Sequence, residues 1–241
     1  MSIPVDQRER REPRPETEQD IAAAQRFYTR ISHVYDALTD AGERTARDLG
    51  LKMLDAQTDE QILEVGFATG TGVVHIARAV GEHGRVLGLD ISEGMRNVAA
   101  RRVASSDVSA VVELQIAGIP PIPATNDEFD AIFMAFTLEL FPDDTIRRVL
   151  REIQRVLKPS GRFVVVAMDS GDEGQKWRVA GRTYRWLHDH FPHVIDCRPI
   201  EVASLIRGEG FSISEAKTVE IWGLPVTVCR SLIGHGDGRQ P

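Results

Sequence analysis

Cysteine is scarce. The 241-residue chain holds two, Cys197 and Cys229, at neither metal-site nor Cys-x-x-Cys spacing. This excludes a disulfide scaffold or thiolate cluster as the organiser of the fold and fits free thiols in a reducing compartment. Long apolar runs are missing as well. None approaches the roughly 18 residues that a membrane-spanning helix needs. Met1 to Pro4 lead into Arg8, Arg10, Arg11 and Arg14 rather than into an apolar segment, so no secretory leader is expected and a cytoplasmic location is. Positive charge is also in deficit: 29 Lys and Arg stand against 36 Asp and Glu, a formal charge of −7. A nucleic-acid partner, which needs a concentrated positive face, is therefore not expected.

What is present is enough for a sizeable core, with 42% hydrophobic residues. Residues 1–17 are polar and charged and read as a disordered tail. An N-terminal helical cap is expected over 18–57. Its first helix is carried by Ile21, Ala24, Phe27, Tyr28, Ile31, Val34, Tyr35 and Leu38 at three- and four-residue spacing, and a second helix covers Glu43 to Leu54. The main domain, 58–233, alternates short apolar strands (61–66, 85–90, 111–116, 129–135, 162–167) with helical stretches. Ser92 serves as an N-cap and Lys158-Pro159-Ser160-Gly161 as a helix stop. A helical insertion is expected over 173–207, then two closing strands, 212–222 and 225–230, as an antiparallel pair at the sheet edge, and a disordered tail over 234–241. Such alternation means a mostly parallel sheet with helices on both faces, a Rossmann-like α/β fold of seven strands.

One stretch stands out. Ile62, Leu63 and Val65 read as a buried strand, and Gly66, Gly70 and Gly72 break it into the helical run that follows. A glycine turn lets a ligand approach bare backbone, and the following helix aims unpaired N–H groups at it. The second strand ends in Asp90, about twenty residues on, where a carboxylate can accept two hydrogen bonds from a ribose diol. The dinucleotide frame G-x-G-x-x-G fails: from Gly66 its third and sixth positions are Ala68 and Thr71, and from Gly70 the sixth is His75. No Gly-Lys-Ser/Thr loop exists either.

Glu64-x-Gly66-x-Ala68-x-Gly70 resembles the E/D-x-G-x-G-x-G motif of class I S-adenosylmethionine-dependent methyltransferases. The likeness continues through Val86 to Met95, similar to a V-x-G-x-D-x-S-x-x-M stretch. It extends to Phe129-Asp130-Ala131-Ile132 and to the Glu152-to-Arg162 helix and turn. Phe27 to Asp36 looks like the N-terminal approach of quinone-biosynthesis-like small-molecule methyltransferases. The resemblance implies S-adenosyl-L-methionine as cofactor. Gly66, Phe67, Ala68 and Gly70 would pass beneath its methionine part, and Glu64 would hold the loop or reach the amino group. Asp90 would take the ribose hydroxyls, Ile91 and Met95 would pack on adenine, and Tyr28, Tyr35 and Ala135 would line the pocket.

Two departures stand inside the motifs. Ala68 replaces the middle glycine, which is tolerable at negative φ. Ile116 falls where many relatives carry an acid for the adenine amino group, so adenine would rest on the Ala117 backbone and on apolar stacking. After strand four, Ala135-Phe136-Thr137-Leu138-Glu139-Leu140 lacks the F-G-x-R-N run of true quinone enzymes, and it is not a D-P-P-Y motif of base methylases. The acceptor is expected to be a small molecule, with Trp177, Trp186 and Phe191 suiting an apolar or aromatic one.

Methyl transfer needs a general base only when the nucleophile must lose a proton. His33 and Glu139 lead the candidates, ahead of Asp36, His188, His190 and His193; Asp169 and Asp172 could instead hold a divalent ion, although no metal is expected. Two rival classes stay open: a nicotinamide-dependent oxidoreductase and a catalytically silent methyltransferase-like partner protein. The oligomeric state is open too, a homodimer being one option.

Overall fold

The computed structural model describes residues 42–170, 199–221 and 224–234. Helix α1 (Gly42–Leu54) leads into β1 (Gln61–Val65), α2 (Thr71–Val80), β2 (Arg85–Asp90), α3 (Glu93–Ala104), β3 (Val111–Ile116) and β4 (Phe129–Ala135). A single 3-10 turn (Leu138–Leu140) then precedes α4 (Asp143–Val156), β5 (Leu157–Met168), α5 (Val202–Gly208), β6 (Phe211–Ile221) and β7 (Leu224–Ile233). The seven strands form one sheet in the order β3-β2-β1-β4-β5-β7-β6. The first five run parallel, and β7 is antiparallel to both β5 and β6.

The sequence reading of the sheet holds almost strand for strand, because the central strands are mainly apolar and buried on both faces. One difference lies in β5. It begins at Leu157, before the helix-stop residues, and pairs Phe129↔Leu157 and then Ala131↔Arg162. Pro159 and Ser160 are exposed in the resulting bulge. Proline and glycine ended the helix as expected but did not end the pairing, because a bulge absorbs the extra residues.

Two apolar layers sandwich the sheet. One joins Leu63, Val65, Ile132 and Phe163 to Ile146, Val149 and Ile153 of α4. The other joins Ile62, Phe133, Val164 and Val166 to Ala46 and Leu54 of α1 and to Val73 and Ile76 of α2. Helix α1 lies unusually close to the sheet at Gly50, where an added Cβ would sit 2.5 Å from Val166 Cγ2 and 3.0 Å from Phe133 Cε2. Its C-terminal end is tied to the amino end of β5. The Arg162 guanidinium donates to the carbonyls of Leu54 and Asp55 and forms an ion pair with Glu60 at 2.7 Å. The opposite end of α1, with Glu43 and Arg47, is thereby carried to the carboxyl edge of the sheet. No described helix is long and apolar enough to cross a membrane. The two tails, the cap up to residue 41 and the expected insertion up to residue 198 lie outside the described residues, while the insertion's last part, 199–207, leads into and forms α5.

Candidate cofactor site

The strand order reverses between β1 and β4, and in open α/β sheets ligands bind at the carboxyl ends of the strands at such a switch point. The glycine turn stands there. Gly66 has φ +74 and Gly70, the residue capping α2, has φ +81. Space demands glycine as much as φ does. A Cβ on Gly66 would fall 2.1 Å from the Thr137 hydroxyl oxygen, and one on Gly70 would fall 2.8 Å from Ala99 Cβ.

Ala68 overturns an expectation. Its φ is +45, so it occupies the left-handed region that costs an L-residue roughly 1–2 kcal/mol. The turn must point the Ala68 N–H outward to Asp90, and a charge-assisted hydrogen bond of 2.9 Å to Asp90 Oδ2 holds it there. Asp90 Oδ1 accepts the Ser92 N–H at 2.8 Å. Each oxygen keeps further acceptor capacity, so the carboxylate can brace the turn and still take a diol. Burial pushes its pKa up to about 6, against the lowering effect of the Ser92, Ala68 and Ile91 backbone groups.

Around Asp90 the expected residues separate into those that reach the site and those that do not. Ser92 caps α3, its Oγ accepting the Met95 N–H at 3.2 Å, and the Met95 side chain is buried beneath. Ile91 is half-buried at the turn. Phe67 gives the turn only its backbone: its carbonyl accepts the Gly70 N–H, while its ring packs in the core beside Gly88. Ile116 is exposed at the end of the edge strand β3. The Ala117 N–H is donated to the Asp90 carbonyl at 2.9 Å, which leaves the Ala117 carbonyl as the backbone group that could meet an adenine amino group. Ala135 ends β4, and its carbonyl accepts the Thr137 hydroxyl at 2.9 Å.

Two residues that the sequence reading missed shape the turn, and a third, Arg47, acts on Glu64 beside it. Thr137 lies over Gly66 from the far side of the switch point. Arg102, on α3, donates to the hydroxyls of Thr71 and Thr69, pinning the turn to the start of α2. The only prior signal was the pair of threonines beside Gly70. Arg47 of α1 was missed because nothing in its helix spacing marks it as different from a solvated arginine.

The acids at this edge are held away from water. Glu64, at the end of β1, is 4% exposed. Burial pushes its pKa up to about 8, which the charge of Arg47 lowers and that of Asp90 raises. Its Oε1 crowds Gly72, where a Cβ would come within 2.2 Å. Glu139, in the 3-10 turn after β4, is fully buried, and its Oε1 accepts the Met168 N–H at 3.1 Å. Burial raises its pKa to about 7, with Glu43 raising it further; Glu43 itself is raised to about 7 by burial. Among the described residues, three buried side-chain atoms have no hydrogen-bond partner: Arg47 Nε, Glu64 Oε2 and Glu139 Oε2. Two of these orphans, one on a base and one on an acid, belong to groups that sense each other's charge beside the glycine turn, and the third lies beyond β4.

His33, Tyr28 and Tyr35 lie outside the described residues, as do Asp36, Asp172, Trp177, Trp186, Phe191 and the histidines at 188, 190 and 193. Asp169 accepts the Thr227 hydroxyl at 2.5 Å, and no group of potential metal ligands occurs among the described residues.

Comparison with known proteins gives the same picture. Residues 62–161 match the family described as a methyltransferase domain. A demethylmenaquinone methyltransferase of Symbiobacterium thermophilum is 33% identical over 154 residues, 62% of this chain and 61% of its own length. The chain thus spans about three fifths of that relative. In fold, it is similar to the 1,6-didemethyltoxoflavin-N1-methyltransferase of Burkholderia thailandensis, solved with S-adenosylhomocysteine. That likeness has TM-score 0.65 and 17% identity, covering 92% of this chain and 93% of the other. It is likewise similar to the cyclase SpnF, with TM-score 0.70 and 16% identity over 93% and 98% of the two chains. The motif order and the sheet thus accord with the methyltransferase domain matched over residues 62–161.

Proposed function

We propose that the protein transfers a methyl group from S-adenosylmethionine to a small-molecule acceptor. The observation that carries this reading is Asp90, whose carboxylate holds the glycine turn through the Ala68 N–H while keeping acceptor capacity on both oxygens. A ribose diol fits that carboxylate, and the orphaned Glu64 Oε2 beside the same turn fits the ammonium at the other end of the cofactor.

When bound, S-adenosylmethionine supplies a methyl carbon on a sulfonium, open to in-line attack. The chain's own part is then to fix the two reactants and exclude water, which can provide much of the rate because charge disperses in the transition state. Glu139 adds a proton acceptor. It is buried, its pKa of about 7 suits exchange near neutrality, and one oxygen is held by Met168 while the other is unpartnered. That favours an acceptor whose nucleophile gives up a proton, such as a hydroxyl, an amine or an acidic carbon. The free, buried Cys229 accords with a cytoplasmic location.

Calorimetry with S-adenosylhomocysteine and, separately, NADH tests the cofactor. Saturable binding of the first alone is expected, and saturable NADH binding without S-adenosylhomocysteine binding overturns the proposal. The fold also carries the cyclase SpnF, so methyl transfer itself requires a product. Incubation with methyl-labelled cofactor and panels of phenols, amines and quinols should label at least one acceptor. Tight cofactor binding with no transfer to any of them is the outcome that the silent-partner reading requires.

A further inference from the structure

Glu64 and Asp90, the acids that suit the cofactor, stand at the ends of β1 and β2, so the neighbouring ends of β4 and β5 remain for an acceptor. The chain beyond β4 is held there in a strained shape. Phe136 has φ +51, a genuine outlier for a bulky side chain, and such strain collects at functional sites. Its N–H is donated to the Val166 carbonyl at 2.8 Å, and the Leu140 N–H to the Thr137 carbonyl at 3.2 Å, which closes the 3-10 turn. The turn carries Glu139 inward. Its side chain is wholly buried, the Met168 N–H fixes Oε1 at 3.1 Å, and Oε2 has no partner. That oxygen has lost its hydration with no bond to replace it.

A second carboxyl belongs with it. Glu43 lies in the first turn of α1, at the same carboxyl edge, and is half-buried where Glu139 is shut away. Burial raises the Glu139 pKa to about 7, and the charge of Glu43 raises it further. Among the described residues, Glu43 is the ionisable side chain whose charge acts on Glu139. Of the other charged groups on the adjoining elements, Arg47 acts on Glu43 and Glu64, and Asp169, after β5, accepts the Thr227 hydroxyl. Asp143 and Asp144 open α4, next along the chain.

We infer that Glu139 and Glu43 work as a carboxyl pair on the acceptor's side of the site, Glu139 taking the nucleophile's proton and Glu43 serving as the positioning residue that keeps Glu139 a base. The inference deepens the proposed function and rests on it. As the acceptor gains its methyl, its bond to hydrogen breaks and the proton passes to Glu139 Oε2. The electrons of the broken carbon–sulfur bond stay on sulfur, which loses its positive charge. An isolated carboxylate, with a pKa near 4, is a weak base for such a step. Two like charges set close together resist ionising at once, so the pair keeps a proton near neutrality and its one carboxylate is the more basic for it.

The first test needs no acceptor. The full chain, isotope-labelled at its glutamate carboxyl carbons, is titrated by NMR, with signals assigned from Glu139→Gln and Glu43→Gln. Glu139 should titrate near neutrality. Glu43→Gln should lower its proton affinity at least about threefold, and Glu139→Gln should lower that of Glu43 by the same factor, because coupling is reciprocal. A proton affinity unmoved by the partner's loss, or a Glu139 that titrates near the ordinary carboxylate value, overturns the pair.

The second test is the pH profile of methyl transfer to whichever phenol, amine or quinol the methyl-labelled cofactor marks. Glu139→Gln, which can still accept the Met168 N–H, should lower kcat at least about 100-fold. Glu43→Gln should move the acid limb of kcat to lower pH by the shift that NMR records, a change that a merely structural Glu43 would not produce. A limb that stays in place, or a kcat that survives in Glu139→Gln, removes the pair from catalysis. Transfer without coupled titration refutes the pair and leaves the proposed function standing. Coupled titration with transfer to no member of the panel refutes the proposed function, and the base with it.

Discussion

The backbone N–H of Ala68 points at the carboxylate of Asp90, 2.9 Å from Oδ2. This bond ties the turn after β1 to the end of β2, so a single acid both shapes the loop and presents its remaining lone pairs to a ligand. Asp90→Ala should therefore do two things at once. It should weaken S-adenosylhomocysteine binding at least tenfold, and it should cost about 1–3 kcal/mol of stability by leaving the Ala68 and Ser92 N–H groups without their acceptor. Calorimetry and urea denaturation read the two effects. An unchanged dissociation constant would remove Asp90 from the ligand site and leave it a structural brace.

Ala68 pays a conformational cost for that bond. At φ +45 a methyl side chain is strained, whereas glycine adopts the same backbone freely. Ala68→Gly should raise stability by roughly 0.5–1 kcal/mol, the relieved strain outweighing the greater freedom of glycine in the unfolded chain. For a chain of this length the midpoint of thermal unfolding should then rise by about 1–4 °C. A fall in the midpoint would show that the Ala68 methyl makes packing contacts worth more than the strain.

What the sequence disclosed and what it hid follow from the range of the forces involved. The strands were legible because burial on two faces demands unbroken apolar runs such as Phe163 to Ala167, and Ser92 was legible because capping is local. Asp90 could be placed because strand length and turn length together fix where β2 ends. The sign of φ at Ala68 was not legible, since it depends on an acceptor 22 residues away. Nor was the bond from the Ala117 N–H to the Asp90 carbonyl, which follows from the β2–β3 register. Arg47 and Arg162 look alike in sequence, yet one is left with an orphaned Nε and the other closes an ion pair. Only the docking of α1 against the sheet tells them apart.

That docking depends on Arg162. Its guanidinium satisfies the last carbonyls of α1 and pairs with Glu60 at 2.7 Å, with the two side chains 11% and 15% exposed. Removing one partner of a buried pair strands the other, at a typical cost of 3–5 kcal/mol. Arg162→Met should destabilise the protein by about 3 kcal/mol in urea titration. Because α1 carries Arg47, whose charge acts on Glu64 beside the glycine turn, the same substitution should also weaken S-adenosylhomocysteine binding, though Arg162 lies at the opposite end of the strands. Arg162→Met together with Glu60→Met should recover part of the stability, since no charge is then left buried. If the double variant is no more stable than the single one, the ion pair is not what holds the helix end.

The buried acids set the pH dependence of the free protein. Glu43 and Glu139 are raised to about 7, Glu64 to about 8 and Asp90 to about 6. In the unfolded chain each ionises near the ordinary carboxylate value, about 4. Between about pH 5 and pH 8 the folded state therefore binds more protons than the unfolded state, and stability falls as pH rises. Acids held in ion pairs act in the opposite sense. Glu128, Asp130 and Glu152 are lowered by Arg85, Lys158 and Arg155, so their contribution is lost as pH drops below about 4. Stability of the ligand-free protein should accordingly peak near pH 5. Urea midpoints at pH 5, 6.5 and 8 check this, and Glu64→Gln should flatten the decline above pH 6.5 because it removes the highest of the raised groups. A midpoint that climbs between pH 5 and pH 8 would mean these carboxyls are solvated in the free protein. Saturating S-adenosylhomocysteine should diminish the same decline, since an ammonium against Glu64 stabilises the carboxylate that burial disfavours.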